Sequence, residues 1–295
     1  MAMTNLLEMH DIRRRVNDSF ALDGVSLTVG EGEVVGFVGA NGAGKTTTIR
    51  AALGLLSLDS GELSLFGNAF GAHASSECQR DVRSRVGVVL DGCPFPRDHT
   101  VRQSAACVSA AYGSWDQARF ERLCAEYGLG LKTKVKDLSR GMGMKLQLAV
   151  AFSHEAELLI LDEATAGLDP IARDEVLDQF RAFASEEGHG VLLSSHITTD
   201  LEHIADRVVA IDGGRVLFDV AREDITDTAG VARCSQAQLG EVLSCVAGAR
   251  AVQREFACDV LVPNRFEFVE AFPDIPCDHA SIDDYLHFFL KGETR

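Results

Sequence analysis

The sequence is short of basic charge. Its 28 lysines and arginines face 44 aspartates and glutamates, a formal charge of −16. An acidic surface repels nucleic-acid phosphates and anionic lipid, which excludes a broad binding patch for either. Arg13-Arg14-Arg15 is the local exception and reads as a solvated strand end rather than a nucleic-acid site. The eight cysteines, at 78, 93, 107, 124, 234, 245, 258 and 277, contain no Cys-x-x-Cys pair. Zinc-site spacing is therefore absent, and buried free thiols in a reducing cytoplasm are the expectation. No apolar run reaches the roughly 18 to 20 residues of a membrane span. The longest uncharged stretch, around Gln103 to Trp115, is short and rich in Ala and Ser. Met1-Ala-Met-Thr-Asn-Leu-Leu-Glu8 lacks a basic segment followed by a long apolar core, so no signal peptide is expected. The 295 residues, 46% hydrophobic, suffice for one large α/β domain with a full core and a small second one.

The most specific stretch is Gly39-Ala-Asn-Gly-Ala-Gly-Lys-Thr46. It follows Glu33-Val-Val-Gly-Phe-Val38, an apolar run bounded by glycines that reads as a buried strand, and precedes Thr47–Leu53, which reads as a helix. Strand, glycine-rich loop and helix are the context in which such a loop cradles phosphate. Glycines let backbone amides close around the anion, and the helix points its positive end at it. Lys45 is expected to reach the β- and γ-phosphates and the Thr46 hydroxyl to ligate Mg²⁺. A nucleoside triphosphate is the expected ligand.

Leu158-Leu-Ile-Leu161 is a second buried strand, ending in Asp162-Glu163. Carboxylates at the carboxyl end of a strand lie where α/β sheets bind ligands. Asp162 is suited to hold Mg²⁺ through water and Glu163 to polarise an attacking water. Between the two strands, Ser139 caps a helix-spaced run with Gly141 beside it, which makes another anion site. One nucleotide does not need two such sites from one chain, so the second is expected to serve another subunit's nucleotide.

These segments, with Ala166-Gly-Leu-Asp169 and Leu193-Ser-Ser-His196, resemble the nucleotide-binding subunit of an ATP-binding cassette (ABC) transporter over roughly the first 220 residues. The resemblance implies an α/β P-loop nucleotide-binding domain over 1–220, with a mixed sheet core, an antiparallel β subdomain and a helical subdomain at about 93–152. A small α+β extension would occupy 221–295. It implies ATP and Mg²⁺ as ligands. Gly39, Asn41, Gly42, Ala43, Gly44, Lys45, Thr46 and Thr47 would bind the nucleotide, and Thr46, Asp162 and Asp91 would surround the metal. Glu163 would be the general base, and His196 would contact the γ-phosphate and link it to Glu163. Ser139 and Gly141 would donate to the γ-phosphate of the opposite subunit, with Asp169 touching that subunit near its site. The implied partners are an integral membrane permease and a second cassette, identical or related, with no nucleic acid. The subunit would sit in the cytoplasm on the inner face of the membrane, held there by the permease.

Three departures from the family pattern stand out. Asp91 follows the strand Val86–Leu90 where a glutamine is usual. Arg140 and Met142 replace glycine and glutamine in the signature, and a basic residue there resembles subunits that serve export permeases. No tyrosine precedes the second strand to stack on adenine; Val16 or Phe20 falls nearest, and core packing is the other reading of Phe20. Glu163 and His196 are both present, so hydrolysis is expected over regulation without turnover. A soluble cassette acting on DNA or the ribosome would need a long coiled coil or a second cassette, and only about a hundred residues separate the two ATP motifs here.

Elsewhere, Trp115–Tyr127 shows helical apolar spacing, and Pro94-Phe-Pro96 is either part of a permease-docking groove or a packed loop. Pro170–Phe183 reads as a helix with proline in its first turn, and Val208–Phe218 as a hairpin turning at Gly213-Gly214. In the tail, a strand ending at Val262, a helix over Asn264–Phe272 and another over Ser281–Leu290 are expected. The aromatic stripe of the last reads as core or dimer contact, and His279 and His287 have no metal-site spacing.

Overall fold

The computed structural model describes residues 4–71, 75–254 and 257–292. The first three residues of the segment searched for a signal peptide lie outside them. Strands β1 (Asn5–Arg15) and β2 (Ala21–Gly30) pair antiparallel, with Asn5 opposite Gly30 and Arg15 opposite Ala21. Leu7, Met9, Val25 and Leu27 face inward and are fully buried, because one face of an antiparallel sheet covers the core while the other meets solvent. On the solvent face Arg13 pairs with Asp11 and Asp23, and Arg14 with Asp59. Arg13 and Arg14 are thus answered by nearby carboxylates, as at a solvated strand end.

β3 (Val34–Val38) is buried at every position. Helix α1 (Lys45–Ala52) follows the phosphate loop. It starts two residues before the expected Thr47, because Gly44 takes φ 123° at the cap and lets the chain turn at once. β4 (Ser60–Leu65) and β5 (Asn68–Ala69) complete a first sheet in the order β2-β1-β4-β5. Helix α2 (Ser76–Ser84) leads to β6 (Val86–Val89).

Three helices then pack together: α3 (Val101–Ser109), α4 (Gln117–Glu126) and α5 (Arg140–Ala151). Each has a side-chain cap, from Thr100, Asp116 and Ser139, and Asp116 is why α4 begins after Trp115 rather than at it. They share a core of Val101, Ala105, Phe120, Cys124, Leu146 and Ala149.

β7 (Leu158–Asp162), α6 (Pro170–Ala184), β8 (Gly190–Ser195) and α7 (Thr198–Ile204) follow. β9 (Arg207–Asp212) and β10 (Arg215–Ala221) form the expected hairpin. Gly213 and Gly214 both take positive φ, and a Cβ on Gly214 would lie 1.9 Å from the Ala21 carbonyl. The resulting sheet runs β10-β9-β3-β8-β7-β6, parallel apart from β10. Val38 stands beside Ser195, and Asp162 beside Ser194. That register brings the carboxyl ends of β3, β7 and β8 to one edge.

Beyond Ala221 a separate antiparallel sheet forms. Its elements are β11 (Gly230–Cys234), α8 (Gln236–Cys245), β12 (Arg250–Gln253), β13 (Cys258–Val262), α9 (Arg265–Ala271), β14 (Cys277–His279) and α10 (Ile282–Lys291). The strand order is β12-β13-β11-β14. Tyr285 and Phe289 of α10 meet Phe218 of β10 at centroid distances of 5.0 and 4.9 Å, so these half-buried stripe aromatics pack against the core. The Ile282 amide donates to Glu202 of α7 at 2.8 Å, a second fastening onto the larger sheet. Among the described residues no helix is long and apolar enough to cross a membrane, and no cluster of His, Cys, Asp and Glu could hold a metal by itself.

Candidate functional site

The loop after β3 folds over its own lysine. Lys45 is 6% exposed, and its Nζ donates to the carbonyls of Gly39 (2.6 Å) and Ala40 (3.4 Å). A buried ammonium is costly unless paired, and these carbonyls, with Glu163 Oε1 at 3.7 Å, pair it. Gly39 needs its missing side chain: a Cβ there would lie 2.3 Å from the Ile211 carbonyl. Ala43 turns its methyl into the core, its carbonyl accepts from Gly214 N at 2.9 Å, and its amide donates to Ala40 O at 3.1 Å, so both of its backbone groups are paired within the protein.

Asp162, the last residue of β7, is 1% exposed. Its two oxygens accept from Thr46 Oγ1 at 2.8 Å and from Ser194 Oγ at 3.0 Å. Burial pushes the Asp162 carboxyl up, while the two hydroxyls pull it back and the Glu163 and Asp91 charges add to the rise. Glu163 follows at φ 56°, a left-handed conformation rare outside glycine, while its amide donates to Ser194 O at 3.0 Å. The turn aims one Glu163 oxygen at Lys45 and the other at His196, whose Nδ1 is hydrogen-bonded to it. Backbone strain of this kind persists where surrounding structure enforces it, commonly at functional sites.

These groups open on a cavity of about 630 Å³. Lys45, Thr46, Thr47, Glu163 and His196 line it, together with Asn41, Gly42 and Gly44 of the loop. Phe20 lines it as well, whereas Val16 stays half-exposed outside, so of the two candidates for the base only Phe20 reaches the cavity. Asp91 reaches the rim, but its Oδ1 accepts from Arg140 Nη2 at 2.9 Å instead of facing the metal-side groups alone.

Ser139, Gly141 and Asp169 are not brought to this cavity. Ser139 Oγ accepts from Met142 N at 3.2 Å as the cap of α5. Gly141 packs so closely on the turn after β7 that a Cβ would lie 2.7 Å from the Gly167 carbonyl. Asp169 Oδ1 accepts from Ala172 N at 3.1 Å as the cap of α6.

Four supporting residues escaped the sequence reading. Asn17 lines the cavity beside Phe20. Ser194 holds Asp162, and its only signal was a hydroxyl pair closing an apolar strand. Thr165 Oγ1 donates to Asp200 Oδ2 at 2.6 Å, both buried, which ties the turn after Glu163 to the helix after His196. Nothing in local spacing marks that pair, which is 35 residues apart.

A family model described as ABC transporter matches residues 22–166. The bacitracin transport ATP-binding protein BcrA of Bacillus licheniformis is 32% identical over 220 residues, covering 74% of this chain and 70% of that protein. The Nod factor export ATP-binding protein I of Burkholderia lata is 34% identical over 220 residues, covering 73% and 70%. Among solved structures, an ATP-binding subunit of an ABC transporter superposes with a TM-score of 0.66 at 29% identity, over 75% of this chain and 91% of its own. A dimeric ATP-binding cassette in a post-hydrolysis state, bound to ADP and phosphate, shares the fold at a TM-score of 0.66 and 18% identity, over 73% and 98%.

Proposed function

The chain belongs to the ABC transporter family, and from that premise we propose that it is the ATP-hydrolysing subunit which powers a separate membrane permease, of the export type. Carrying this reading is the position of Glu163, held by His196 on one oxygen and facing Lys45 with the other at the mouth of the phosphate loop.

On ATP binding, Lys45 exchanges the Gly39 and Ala40 carbonyls for phosphate oxygens, a stronger charge-assisted pairing. The amides of the loop and of the start of α1 surround the same phosphates. Glu163 accepts the proton of the attacking water, and His196 keeps its carboxylate turned toward the cavity. Thr46 and Asp162 present a hydroxyl and a carboxylate, the hard oxygen donors that suit Mg²⁺, with Asp91 at the rim. The ion, when bound, neutralises charge on the phosphates. Phe20 offers a ring on which a base can stack.

Ser139, Gly141 and Asp169 lie outside the chain's own cavity, and this supports their serving the nucleotide of a second cassette, identical or related. Two composite sites would then close around two ATP molecules, and closure is the motion delivered to the permease on the inner face of the membrane. The Nod factor relative is an export ATP-binding protein, which supports the export direction.

The test is Glu163→Gln. ATP turnover should fall by about 10²- to 10⁴-fold, the usual contribution of a general base, while ATP binding persists and an ATP-dependent dimer accumulates. Undiminished turnover would overturn the role of Glu163, and a variant that binds ATP but stays monomeric would overturn the two-site sandwich.

A further inference from the structure

Asp91 and Arg140 are the two places where this chain departs most in charge from the family pattern, and the structure joins them. Arg140 Nη2 donates to Asp91 Oδ1 at 2.9 Å, and both side chains line the chain's own nucleotide cavity. The pair sits on two elements that are firmly strapped together. Gln147 of α5 is 3% exposed and brackets the Asp91 turn with three hydrogen bonds. Its Nε2 donates to the carbonyls of Leu90 and Gly92, both at 3.1 Å, and its Oε1 accepts from Leu90 N at 3.0 Å. The Arg140 stem also lies against Gly167 in the turn after β7, where a glycine Cβ would stand 3.4 Å from its Cγ and Cδ. Arg140 is therefore seated between the turn that carries Asp91 and the turn that carries Asp169.

The pairing has an electrostatic consequence. Asp162 and Glu163 already place two carboxylates at the metal side of the cavity, and the Asp91 charge reaches Asp162. A third unpaired carboxylate would repel the triphosphate's own negative charge. Paired with Arg140, Asp91 is locally neutral; unpaired, it is a hard oxygen donor on the cavity that Thr46 also lines. Arg140, once free, is a fork of donors matched to phosphate oxygens.

We propose that Arg140 is a positioning residue for Asp91: it holds that carboxylate at the cavity rim in the nucleotide-free chain and releases it to the cation when a metal-bound triphosphate enters. The exchange leaves both charges satisfied, Asp91 by the cation and Arg140 by phosphate. It also links the start of α5, the segment read as facing the second cassette, to the occupancy of the chain's own site. This inference rests on the cavity being the ATP site.

The experiment measures ATP affinity of the purified full chain by calorimetry, with Mg²⁺ and with the metal chelated, for the unmodified chain, Arg140→Ala, Asp91→Ala and the double variant. Exposed ion pairs contribute about 0.2–1 kcal/mol, so the expected changes run from about 1.4-fold to fivefold. Arg140→Ala should weaken metal-free ATP binding by that factor and weaken Mg-ATP binding less. Adding Asp91→Ala should restore metal-free binding toward the Asp91→Ala value, and Arg140→Lys should rescue part of the loss. Equal weakening with and without Mg²⁺, or an Arg140→Ala effect that is the same whether position 91 is Asp or Ala, would overturn the proposal. Lys45→Ala separates the two readings. If it binds ATP as well as the unmodified chain, the cavity is not the ATP site. If it loses ATP while the Asp91 and Arg140 effects simply add, only the pairing role fails.

Discussion

Two of the three sheets, the six-stranded and mostly parallel one and the antiparallel one after Ala221, handle buried polarity in opposite ways. Around the first, Lys45, Asp162, Thr165, Ser194 and Asp200 are buried together at the carboxyl edge of β3, β7 and β8. In the second, Asp259 is the buried charged residue among those described, and Arg254 answers it from the surface. The difference follows from topology. Parallel strands joined by crossovers bring all their carboxyl ends, and the loops leaving them, to one edge. An antiparallel sheet sends successive turns to opposite ends, so its polar groups do not converge. The larger sheet therefore carries a site, while the smaller one carries packing.

If the smaller sheet serves as packing, breaking its fastening should cost stability and leave chemistry alone. Phe218→Ala removes the ring that Tyr285 and Phe289 pack against. Truncating a buried phenylalanine costs about 3–5 kcal/mol, so thermal unfolding should come at a clearly lower temperature while ATP affinity of the folded chain is retained. Loss of ATP affinity in folded Phe218→Ala would break the comparison, because it would make the tail part of the site. Through α7, which carries both Glu202 and Asp200, such a link is mechanically available.

A smaller effect should come from within the site's support. Asp200→Ala leaves the buried Thr165 hydroxyl without its acceptor, a loss of about 1–3 kcal/mol. Turnover should fall about tenfold through misplacement of Glu163 and His196, with ATP affinity nearly unchanged, because neither Thr165 nor Asp200 lines the cavity. Steady-state kinetics beside direct ATP binding would sharpen the boundary between positioning and binding.

Smallest is a pH effect at the far end of α5. His154 is buried against Tyr112, and its ring nitrogens lie 3.3 Å from the carbonyls of Val150 and Val86. Burial, with a lesser push from the Arg119 charge, holds its pKa below the ordinary 6.5. The unfolded chain therefore takes up this proton first. Its contribution to stability is complete above pH 6.5 and is lost as pH falls from there through the lower folded value. The slope of melting temperature against pH below 6.5 should flatten in His154→Gln. An unchanged slope would assign the acid sensitivity to other groups.

The nucleotide loop was legible in the sequence because it is local. Its glycines, lysine and threonine are contiguous, and the conformation they need is written in the residue types themselves, as the positive φ of Gly42 and Gly44 shows. The strand ending at Asp162 and Glu163 and the hairpin at Gly213-Gly214 were readable for the same reason. β11, β12 and β14 were not, because they are short strands whose alternation only has meaning once they are paired, β11 and β12 with β13 and β14 with β11. Phe20 and Val16 could not be separated by sequence, since both lie in the turn between β1 and β2 and the choice depends on which end of that turn meets the cavity.

By itself, then, the sequence determined the ligand class, the glycine-rich loop after its strand and the strand that ends in Asp162 and Glu163, all of which follow from side-chain chemistry within a few contiguous residues. Tertiary structure decided what those residues touch. Asp91 meets Arg140 across 49 positions, Thr165 meets Asp200 across 35, and Glu163 meets His196 across 33. Such pairings depend on sheet register and helix docking, in which a shift of one residue would turn each side chain to the opposite face.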